Sequence, residues 1–114
     1  MTECLFCKIN AREIPSEIVY EDEQVLVFKD INPLAPVHLL VISKKHIDDL
    51  NGIQEEDERL LGHLMMVIKE MAKEHGVQES GYRVITNIGE DGGQIIKHLH
   101  FHIIGGKALG SKLG

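Results

Sequence analysis

The chain has 114 residues, of which 12 are lysine or arginine and 18 are aspartate or glutamate, so its formal net charge is -6 with neutral histidines. That length suits a single domain spanning residues 1–114 and is too short for two hydrophobic cores. The acidic balance, without a basic patch, argues against binding to a nucleic-acid polymer. No apolar run approaches the roughly 18 residues that span a bilayer, and the start lacks the features of a signal peptide, so we expect a cytoplasmic protein without a membrane partner.

The two cysteines of the chain, Cys4 and Cys7, lie near its start and are separated by two residues. In a reducing compartment, such a pair is more typical of a metal site or a redox centre than of a structural disulfide. Zinc takes about four nitrogen or sulfur ligands, and a Cys-x-x-Cys turn supplies two of them, so the remaining ligands would come from elsewhere in the chain. The alternative is a pair of reduced cysteines packed in a short N-terminal helix.

The next segments predict strands. Residues 18–20 and 25–28 are apolar and flank the acidic turn at 21–24, a pattern that indicates a hairpin. Residues 38–42 are apolar on both faces of a strand, which predicts a central strand of the sheet.

One long helix is predicted to begin near Gln54 and to end near Gly76. Acidic residues at 55–58 suit a helix N-terminus. Met66 and Val67 widen the apolar arc beyond one stripe, so this helix either contacts a second subunit or is fully covered by its own core. The residues that recur at three- and four-residue steps are Leu60, Leu61, Leu64, Met65, Ile68, Met71 and Ala72.

Residues 82–87 predict a further strand, which a glycine-containing loop at 88–94 joins to the last strand. Glycines allow backbone amides to approach an anion closely. Alone this signal is weak, because most glycine pairs form simple turns.

Three histidines alternate along the predicted last strand. Because successive side chains of a strand point to opposite faces, His98, His100 and His102 should share one face, with about 6 to 7 Å between successive Cα atoms. The apolar residues between them should pack into the core from the other face and hold the strand rigid. We therefore expect the imidazoles to be presented rather than buried.

The histidine row has three interpretations. A polar face without chemistry is the weakest, because three imidazoles in register on an otherwise apolar strand are uncommon. A catalytic metal site would need a further ligand and an open coordination position. Nucleophilic catalysis would need one imidazole to attack an electrophile while its neighbours fix its tautomer. The glycine loop directly before the strand favours this last interpretation, because it could hold a phosphate within reach of an imidazole nitrogen.

The segment "HLHFHII" resembles the signature of the histidine triad superfamily. The similarity covers nearly the whole chain and follows the Hint branch, the purine nucleoside phosphoramidase-like proteins. The segments that carry it are "FCKIN", "EIPSEIVYEDE", "FKDINPLAPVHLLVISKKHI", "LLGHLMMVIKEMA", "GYRVITNIGEDGGQ" and "HLHFHIIGG". The resemblance implies an α+β fold, with a five-stranded antiparallel sheet, one long helix and one short helix, and a homodimer that joins two sheets into ten strands.

The resemblance also implies a hydrolase acting on P–N or P–O bonds at the α-phosphate of a purine nucleotide. His100 would attack the phosphorus of a nucleoside phosphoramidate or an acyl nucleotide, and water would release the monophosphate from the nucleotidyl-histidine. The backbone carbonyl of His98 would accept the proton on Nδ1 of His100. His102 and the amide of Ile96 would meet the phosphoryl oxygens, and His38 would hydrogen-bond within the cluster. This step requires no catalytic metal or organic cofactor.

The same matching implies a nucleotide site. Asp30 would hold the ribose hydroxyls and Ile31 would lie against the purine, with Phe6 and Ile9 near the base. The residues expected around the α-phosphate are Asn87, Gly93, Gln94, Ile95, Ile96, His100 and His102.

Superfamily members with an N-terminal Cys-x-x-Cys bind structural zinc with two histidines, and the matching positions here are His46 and His98. The resemblance therefore implies a structural zinc site made of Cys4, Cys7, His46 and His98, which would hold the N-terminal segment over the pocket. As a zinc ligand, the imidazole of His98 could not also transfer protons.

The chain departs from the Hint pattern at two places. Most relatives have a serine after "GGQ" that contacts the phosphate or leaving group, whereas this chain has Ile95. Its tail also lacks the tryptophan with which some relatives select substrates across the dimer.

Two functions are compatible with this sequence. The first is a nucleotide hydrolase. The alternative is a dimeric nucleotide-binding regulator or scaffold whose hydrolysis is incidental.

Overall fold

The computed structural model describes residues 4–114, which form one five-stranded sheet with a helix on each face. The elements in chain order are α1 (Leu5–Asn10), β1 (Ile18–Glu21), β2 (Val25–Lys29), β3 (Val37–Ser43), α2 (Glu58–Glu74), β4 (Tyr82–Ile85) and β5 (His100–Gly105). Two single turns of 3-10 helix, at Leu50–Gly52 and Glu55–Asp57, precede α2.

The strand order is β1-β2-β3-β5-β4, and every neighbouring pair is antiparallel. The predicted hairpin and the predicted central strand are both confirmed, and so is the α+β fold class. No helix within residues 4–114 is both long and apolar enough to cross a membrane.

Alternation along the strands divides the core between the two faces of the sheet. On one face, side chains such as Val41 and Ile103 pack with Leu64, Ile68 and Met71 of α2. These α2 residues belong to the predicted apolar stripe. Val67 joins the same core, whereas Met66 is exposed, so the widened arc of the helix is only partly covered. Met65, which the predicted stripe included, is exposed as well.

The opposite face of the sheet carries α1. Phe6 and Ile9 of this short helix pack on Leu26, Leu40 and Ile42. His100 pairs with Ile42, and His102 pairs with Leu40. Because directly paired residues of neighbouring strands share a face, His100 and His102 project toward α1 and away from α2.

The histidine row differs from the sequence expectation at its first member. His98 precedes β5 and lies in a bend, so the three histidines do not form one regular row. His98 and His100 are buried rather than presented. The reason is that α1, which the strand pattern alone does not place, covers this end of the sheet. Leu99 and Phe101, between the histidines, and Ile103, after them, face the core as expected; Leu99 and Ile103 are buried and Phe101 is partly buried.

Candidate active site

A cavity of about 380 Å3 opens on the α1 face of the sheet, beside the histidines of β5. Apolar side chains of α1, β2 and β3 form much of its wall, including Phe6, Phe28 and Leu40. The polar part of the wall contains Asp30, Asn87, His100 and His102. A pocket with a broad apolar wall and a few convergent polar groups is the usual form of a small-molecule site.

Backbone contacts fix the tautomer of His100. Its Nδ1 lies 2.7 Å from the carbonyl oxygen of His98, an acceptor, so Nδ1 carries the proton. The other ring nitrogen, Nε2, is left with a lone pair. Phe6 packs edge-on against the ring with centroids 4.9 Å apart and restricts its rotation. His100 therefore has the form that a nitrogen nucleophile requires.

A second chain of hydrogen bonds assigns the tautomers of His38 and His102. The amide of Leu34 donates to Nδ1 of His38 at 3.1 Å, so the proton of this ring lies on Nε2. That Nε2 is 2.9 Å from Nδ1 of His102 and donates to it. His102 consequently carries its own proton on Nε2 and can donate it to a ligand oxygen.

Burial favours the neutral form of the imidazoles of His38, His100 and His102. Burial lowers the pKa of His38 and of His100 below the ordinary value, although the carboxylate of Asp30 opposes the shift in both. Burial, together with repulsion from His100 and His38, lowers the pKa of His102 to about 4. The site therefore offers one lone pair and one N–H group without a fixed positive charge.

Asp30 lies at the edge of the same cavity. One carboxylate oxygen accepts the amide of Asn32 at 2.8 Å, and the other is 3.4 Å from Nε2 of His38. These contacts hold the carboxylate at the mouth of the pocket, where it can accept hydrogen bonds from hydroxyl groups.

The loop between β4 and β5 closes one side of the cavity with Gly93 and Ile96. Gly93 adopts a φ of 81°, in the left-handed region that favours glycine. A Cβ on Gly92 would lie only 2.2 Å from the carbonyl oxygen of Ile88, so the loop can have this shape only with glycine at that position. Asn87 adds a hydrogen bond to the carbonyl of Gly92 at 2.8 Å.

Two cysteines and two histidines meet beside α1. Sγ of Cys4 is 3.3 Å from Nδ1 of His98, and Sγ of Cys7 is 3.3 Å from Nδ1 of His46 and 3.6 Å from Nδ1 of His98. The four ligand atoms all lie within 4.8 Å of one another. Tetrahedral zinc, with Zn–S about 2.3 Å and Zn–N about 2.0–2.1 Å, separates its ligand atoms by roughly 3.3–3.8 Å.

The partners of the two histidines in this cluster also fit a metal. Nε2 of His98 lies 2.7 Å from the carbonyl oxygen of Ser43, and Nε2 of His46 lies 2.8 Å from a carboxylate oxygen of Asp48. Each ring therefore holds its proton on Nε2 and turns the lone pair of Nδ1 toward the thiols, as metal-binding histidines do. Burial lowers the pKa of His98 to about 4, which keeps this ring neutral. The residues can hold a metal ion.

A second group of potential ligands, Asp30, His38 and His102, fits a metal less well. A metal on Nε2 of His38 would displace its proton to Nδ1, which would then face the N–H group of Leu34. Two donors would oppose each other at 3.1 Å. This group is suited to a hydrogen-bond chain.

The chain is similar to known proteins over nearly its whole length. A family model described as "Scavenger mRNA decapping enzyme C-term binding" matches residues 3–114. Protein HitA of Neisseria gonorrhoeae is 49% identical over 105 residues, which cover 92% of this chain and 97% of the relative. Purine nucleoside phosphoramidase of Escherichia coli (strain K12) is 44% identical over 111 residues, which cover 97% of this chain and 93% of the relative. The structure of a histidine triad protein from Clostridium difficile superposes with a TM-score of 0.94 at 50% identity, and the match covers 99% of this chain and 98% of that protein.

The chain belongs to the histidine triad superfamily. Most residues that the sequence predicts for this family's site do meet at one place. The residues that line the cavity are Phe6, Ile9, Asp30, Ile31, Asn87, Gly93, Ile95, Ile96, His100 and His102.

Three predicted residues of this histidine triad chain lie elsewhere. Gln94 is not part of the cavity wall, and its amide group bonds to the backbone. His98 faces the cysteines and contributes its carbonyl oxygen to His100. His38 is not part of the cavity wall and contacts two residues that are, His102 and Asp30.

The resemblance implied the carbonyl of His98 as partner of His100, but sequence reasoning missed two other backbone groups that set tautomers. The amide of Leu34 and the carbonyl of Ser43 act through atoms that almost every residue has, so no residue type marks them. Asp48, which orients His46, was detectable in principle, because a carboxylate two residues from a candidate metal ligand is a common partner of that ligand.

Proposed function

We propose that this chain is a nucleotide hydrolase of the histidine triad type. It cleaves purine nucleoside phosphoramidates or acyl adenylates at the α-phosphate and releases a nucleoside 5′-monophosphate. The observation that carries the proposal is the hydrogen bond of 2.7 Å from Nδ1 of His100 to the carbonyl of His98, which leaves Nε2 unprotonated beside the cavity. The similarity to a purine nucleoside phosphoramidase, at 44% identity over 97% of this chain, supports it.

The reaction has two displacements at phosphorus. In the first, the lone pair on Nε2 of His100 forms a P–N bond, and the bond to the leaving group breaks with its electron pair going to the departing nitrogen or oxygen. A departing nitrogen takes up a proton from solvent and leaves as an amine, whereas a departing acyl oxygen leaves as a carboxylate. In the second displacement, a water molecule attacks the same phosphorus, gives a proton to solvent, and displaces Nε2, which regains its lone pair. The covalent nucleotidyl-histidine divides one difficult substitution into two easier ones.

The surrounding groups have separate tasks in this proposal. His102 donates from Nε2 to a phosphoryl oxygen, and the amide of Ile96 stabilises the charge that moves onto the phosphoryl group. Asp30 accepts hydrogen bonds from the ribose hydroxyls. The purine lies against Ile31 and the apolar wall that includes Phe6. His38 keeps His102 in the tautomer that can donate.

The decisive experiment uses an adenosine phosphoramidate with a fluorescent amine as leaving group. Native protein should release the amine, and His100→Ala should not, while AMP binding by the variant remains measurable. Release by His100→Ala at the native rate would contradict the nucleophile assignment. Covalent adenylylation of native protein, followed by mass spectrometry after acid-free quenching, would identify the intermediate directly.

A binding function is the second candidate, and Ile95 favours it. An isoleucine cannot offer the side-chain hydrogen bond that a serine gives to a leaving group, so the chemical step has one donor fewer. The same pocket would then serve a nucleotide-binding regulator or scaffold. Native protein that binds AMP tightly but releases no amine would establish this function in place of the first.

We further propose that Cys4, Cys7, His46 and His98 hold a structural zinc ion. The distances and the fixed tautomers described above support it, and a site filled by four protein ligands has no open position for catalysis. The ion would tie α1 to the end of β3 and to the segment before β5.

We also propose a homodimer that joins two sheets into one of ten strands. β4 lies at one edge of the sheet and is paired on one side only. Val84 pairs with Ile103, so it lies on the α2 face, where it is 40% exposed. The exposed Met65 and Met66 of α2 add apolar surface on that side of the molecule. A second copy would cover these groups.

A further inference from the structure

The side chain of Gln94 uses its whole amide group on backbone atoms. Its carbonyl oxygen accepts the amide of Gly89 at 2.9 Å. Its nitrogen donates to the carbonyl of Asp48 at 2.7 Å and to that of Ile96 at 3.1 Å. One side chain therefore joins the start of the loop before β5, the end of that loop, and the segment that follows β3.

These contacts require glutamine chemically. One partner is an N–H donor and two are carbonyl acceptors, so the side chain must accept once and donate twice. Glutamate could keep the contact with Gly89 but has no proton for either carbonyl. Methionine has a similar length and could form none of the three bonds. The backbone of Gln94 adds a fourth link, donating to the carbonyl of Gly89 at 3.0 Å.

The loop that Gln94 closes carries part of the cavity wall. Gly93 and Ile96 line the cavity on the two sides of Gln94 in sequence, while Gln94 itself does not. Asn87 holds the same loop from the cavity side through the carbonyl of Gly92. Because a loop rich in glycine has little stiffness of its own, its shape depends on such side-chain contacts.

The geometry points to Gln94 as a positioning residue for the phosphate group of the ligand. It acts through the shape of residues 89–96, without touching the nucleotide, and it anchors this loop to Asp48. The inference rests on the part of the proposed function that places a phosphate beside Gly93 and Ile96. The ribose and purine contacts lie on Asp30, Ile31 and α1, away from Gln94. Loss of the Gln94 contacts should therefore weaken phosphate binding selectively.

The test compares AMP with adenosine, which lacks the phosphate. Isothermal titration calorimetry gives the dissociation constants of both ligands for native protein, Gln94→Met and Gln94→Glu. We expect the dissociation constant of AMP to rise by at least about tenfold in Gln94→Met, because misplacing binding groups by a fraction of an ångström is costly. The constant for adenosine should stay within about twofold of the native value, since its contacts are elsewhere. Gln78→Glu, at an exposed position after α2, is the matched control and should leave both constants unchanged.

Gln94→Glu separates positioning from charge. Its added negative charge repels phosphate, but salt screens that repulsion, so a loss of AMP affinity that persists at 0.5 M sodium chloride reports the lost contacts. This variant also keeps the bond to Gly89 and carries the test if Gln94→Met does not fold.

Several results would overturn the inference. Gln94→Met with native affinity for AMP would do so, as would an equal loss of AMP and adenosine affinity or a loss in Gln94→Glu that salt abolishes. Native protein that binds AMP no better than adenosine would remove the phosphate site and the inference together. A selective loss of AMP affinity in a protein that shows no turnover would support the inference and contradict the hydrolase proposal.

Discussion

His98 connects the thiol and imidazole cluster to the proposed nucleophile through a single residue. Its ring Nδ1 lies 3.3 Å from Sγ of Cys4, while its carbonyl oxygen accepts the proton of Nδ1 of His100 at 2.7 Å. The ring of Phe6, two residues after Cys4, stacks edge-on against His100. The cluster is therefore linked to His100 in two ways, through the backbone carbonyl of His98 and through the ring of Phe6 in α1. A metal ion held by the cluster would support the position of the nucleophile through both contacts.

Removal of the metal should therefore destabilise the protein. Purified protein should contain about one zinc per chain, and a chelator should lower its melting temperature by at least about 5 °C, because a tightly bound ion adds several kcal/mol to the free energy of unfolding. Cys7→Ser should lose the ion and melt as the chelated native protein does.

The control for this experiment is Cys7→Ser treated with the same chelator. Its melting temperature should not fall further, because this variant has no ion to lose. Stoichiometric metal is measured by atomic emission. Native protein without bound zinc, or with a melting temperature that chelation does not change, would contradict the zinc proposal.

Gly92→Ala should damage the phosphate loop. A Cβ at this position would meet the carbonyl oxygen of Ile88 at 2.2 Å, so the loop must change shape to accommodate it. We expect AMP affinity to fall by more than about tenfold through the displaced loop. Gly62→Ala is the matched control, because its Cβ meets nothing within 4 Å and alanine favours a helix by about 1 kcal/mol. Native AMP affinity in the Gly92→Ala variant would contradict the prediction and show that the loop is not part of the site.

Periodicity predicted the parts of this fold that depend on side-chain pattern. The apolar run at residues 38–42 identified the central strand, because a strand covered on both faces is buried at every position. The three- and four-residue steps between Leu60 and Ala72 identified α2, because burial selects apolar residues at that spacing. Prediction from periodicity fails at His98. Alternation predicted that all three histidines lie in one strand, whereas the chain bends at His98, before β5 begins. The ring of His98 contacts Cys4 and the carbonyl of Ser43, which are distant in sequence, so the local pattern around His98 does not predict these contacts.

The candidate site was predicted through the family resemblance rather than through the pattern. Histidines at alternate positions indicated a shared face, but the distinct tautomers of His38, His100 and His102 depend on the partner of each ring, which is a backbone amide, a backbone carbonyl and a second imidazole, respectively. The residue types are the same in all three cases, and only the fold supplies the different partners.

Replacing Ile95 should change the chemistry without harming the fold. This side chain is 91% exposed at the cavity, so Ile95→Ser should alter the free energy of unfolding by less than about 0.5 kcal/mol. A hydroxyl there could hydrogen-bond to the phosphate or leaving group, and we expect roughly tenfold faster release of amines, as one added hydrogen bond to a charged group allows. Ile31→Ser, at another exposed apolar position of the cavity, should not accelerate release. An unchanged or reduced rate in Ile95→Ser would contradict the prediction.

The proposed dimer should depend on Val84. An arginine at this position would place a charge on the exposed edge strand, where a second sheet is expected to pair, and burying an unpaired charge is costly. Light scattering after size exclusion should give the mass of two chains for native protein and of one chain for Val84→Arg. Leu113→Arg replaces another exposed apolar residue, near the end of the chain, and should stay dimeric. A native monomer, or a dimer that survives Val84→Arg, would argue against this interface.

Acid should destabilise the protein partly through Asp22, which joins the β1 to β2 turn to α2. Burial raises the pKa of this carboxyl, but hydrogen bonds from Tyr20, from the backbone of residues 24 and 25, and from His63 outweigh it, so the pKa lies well below its ordinary value. The unfolded chain, with the ordinary pKa, then binds more protons than the folded one at acidic pH, and stability rises with pH in that range. The contribution of Asp22 is complete above the ordinary pKa of about 4 and is lost as the pH falls below it.

Asp22→Asn keeps a side-chain acceptor for the turn and removes the titration. Its free energy of unfolding, measured by urea denaturation, should be lower than that of native protein at pH 7, and the difference should shrink as the pH falls from 5 to 3. Glu79→Gln removes one exposed carboxyl after α2 and should follow the native curve. A difference between Asp22→Asn and native protein that stays constant over this range would show that the charge of Asp22 does not stabilise the turn.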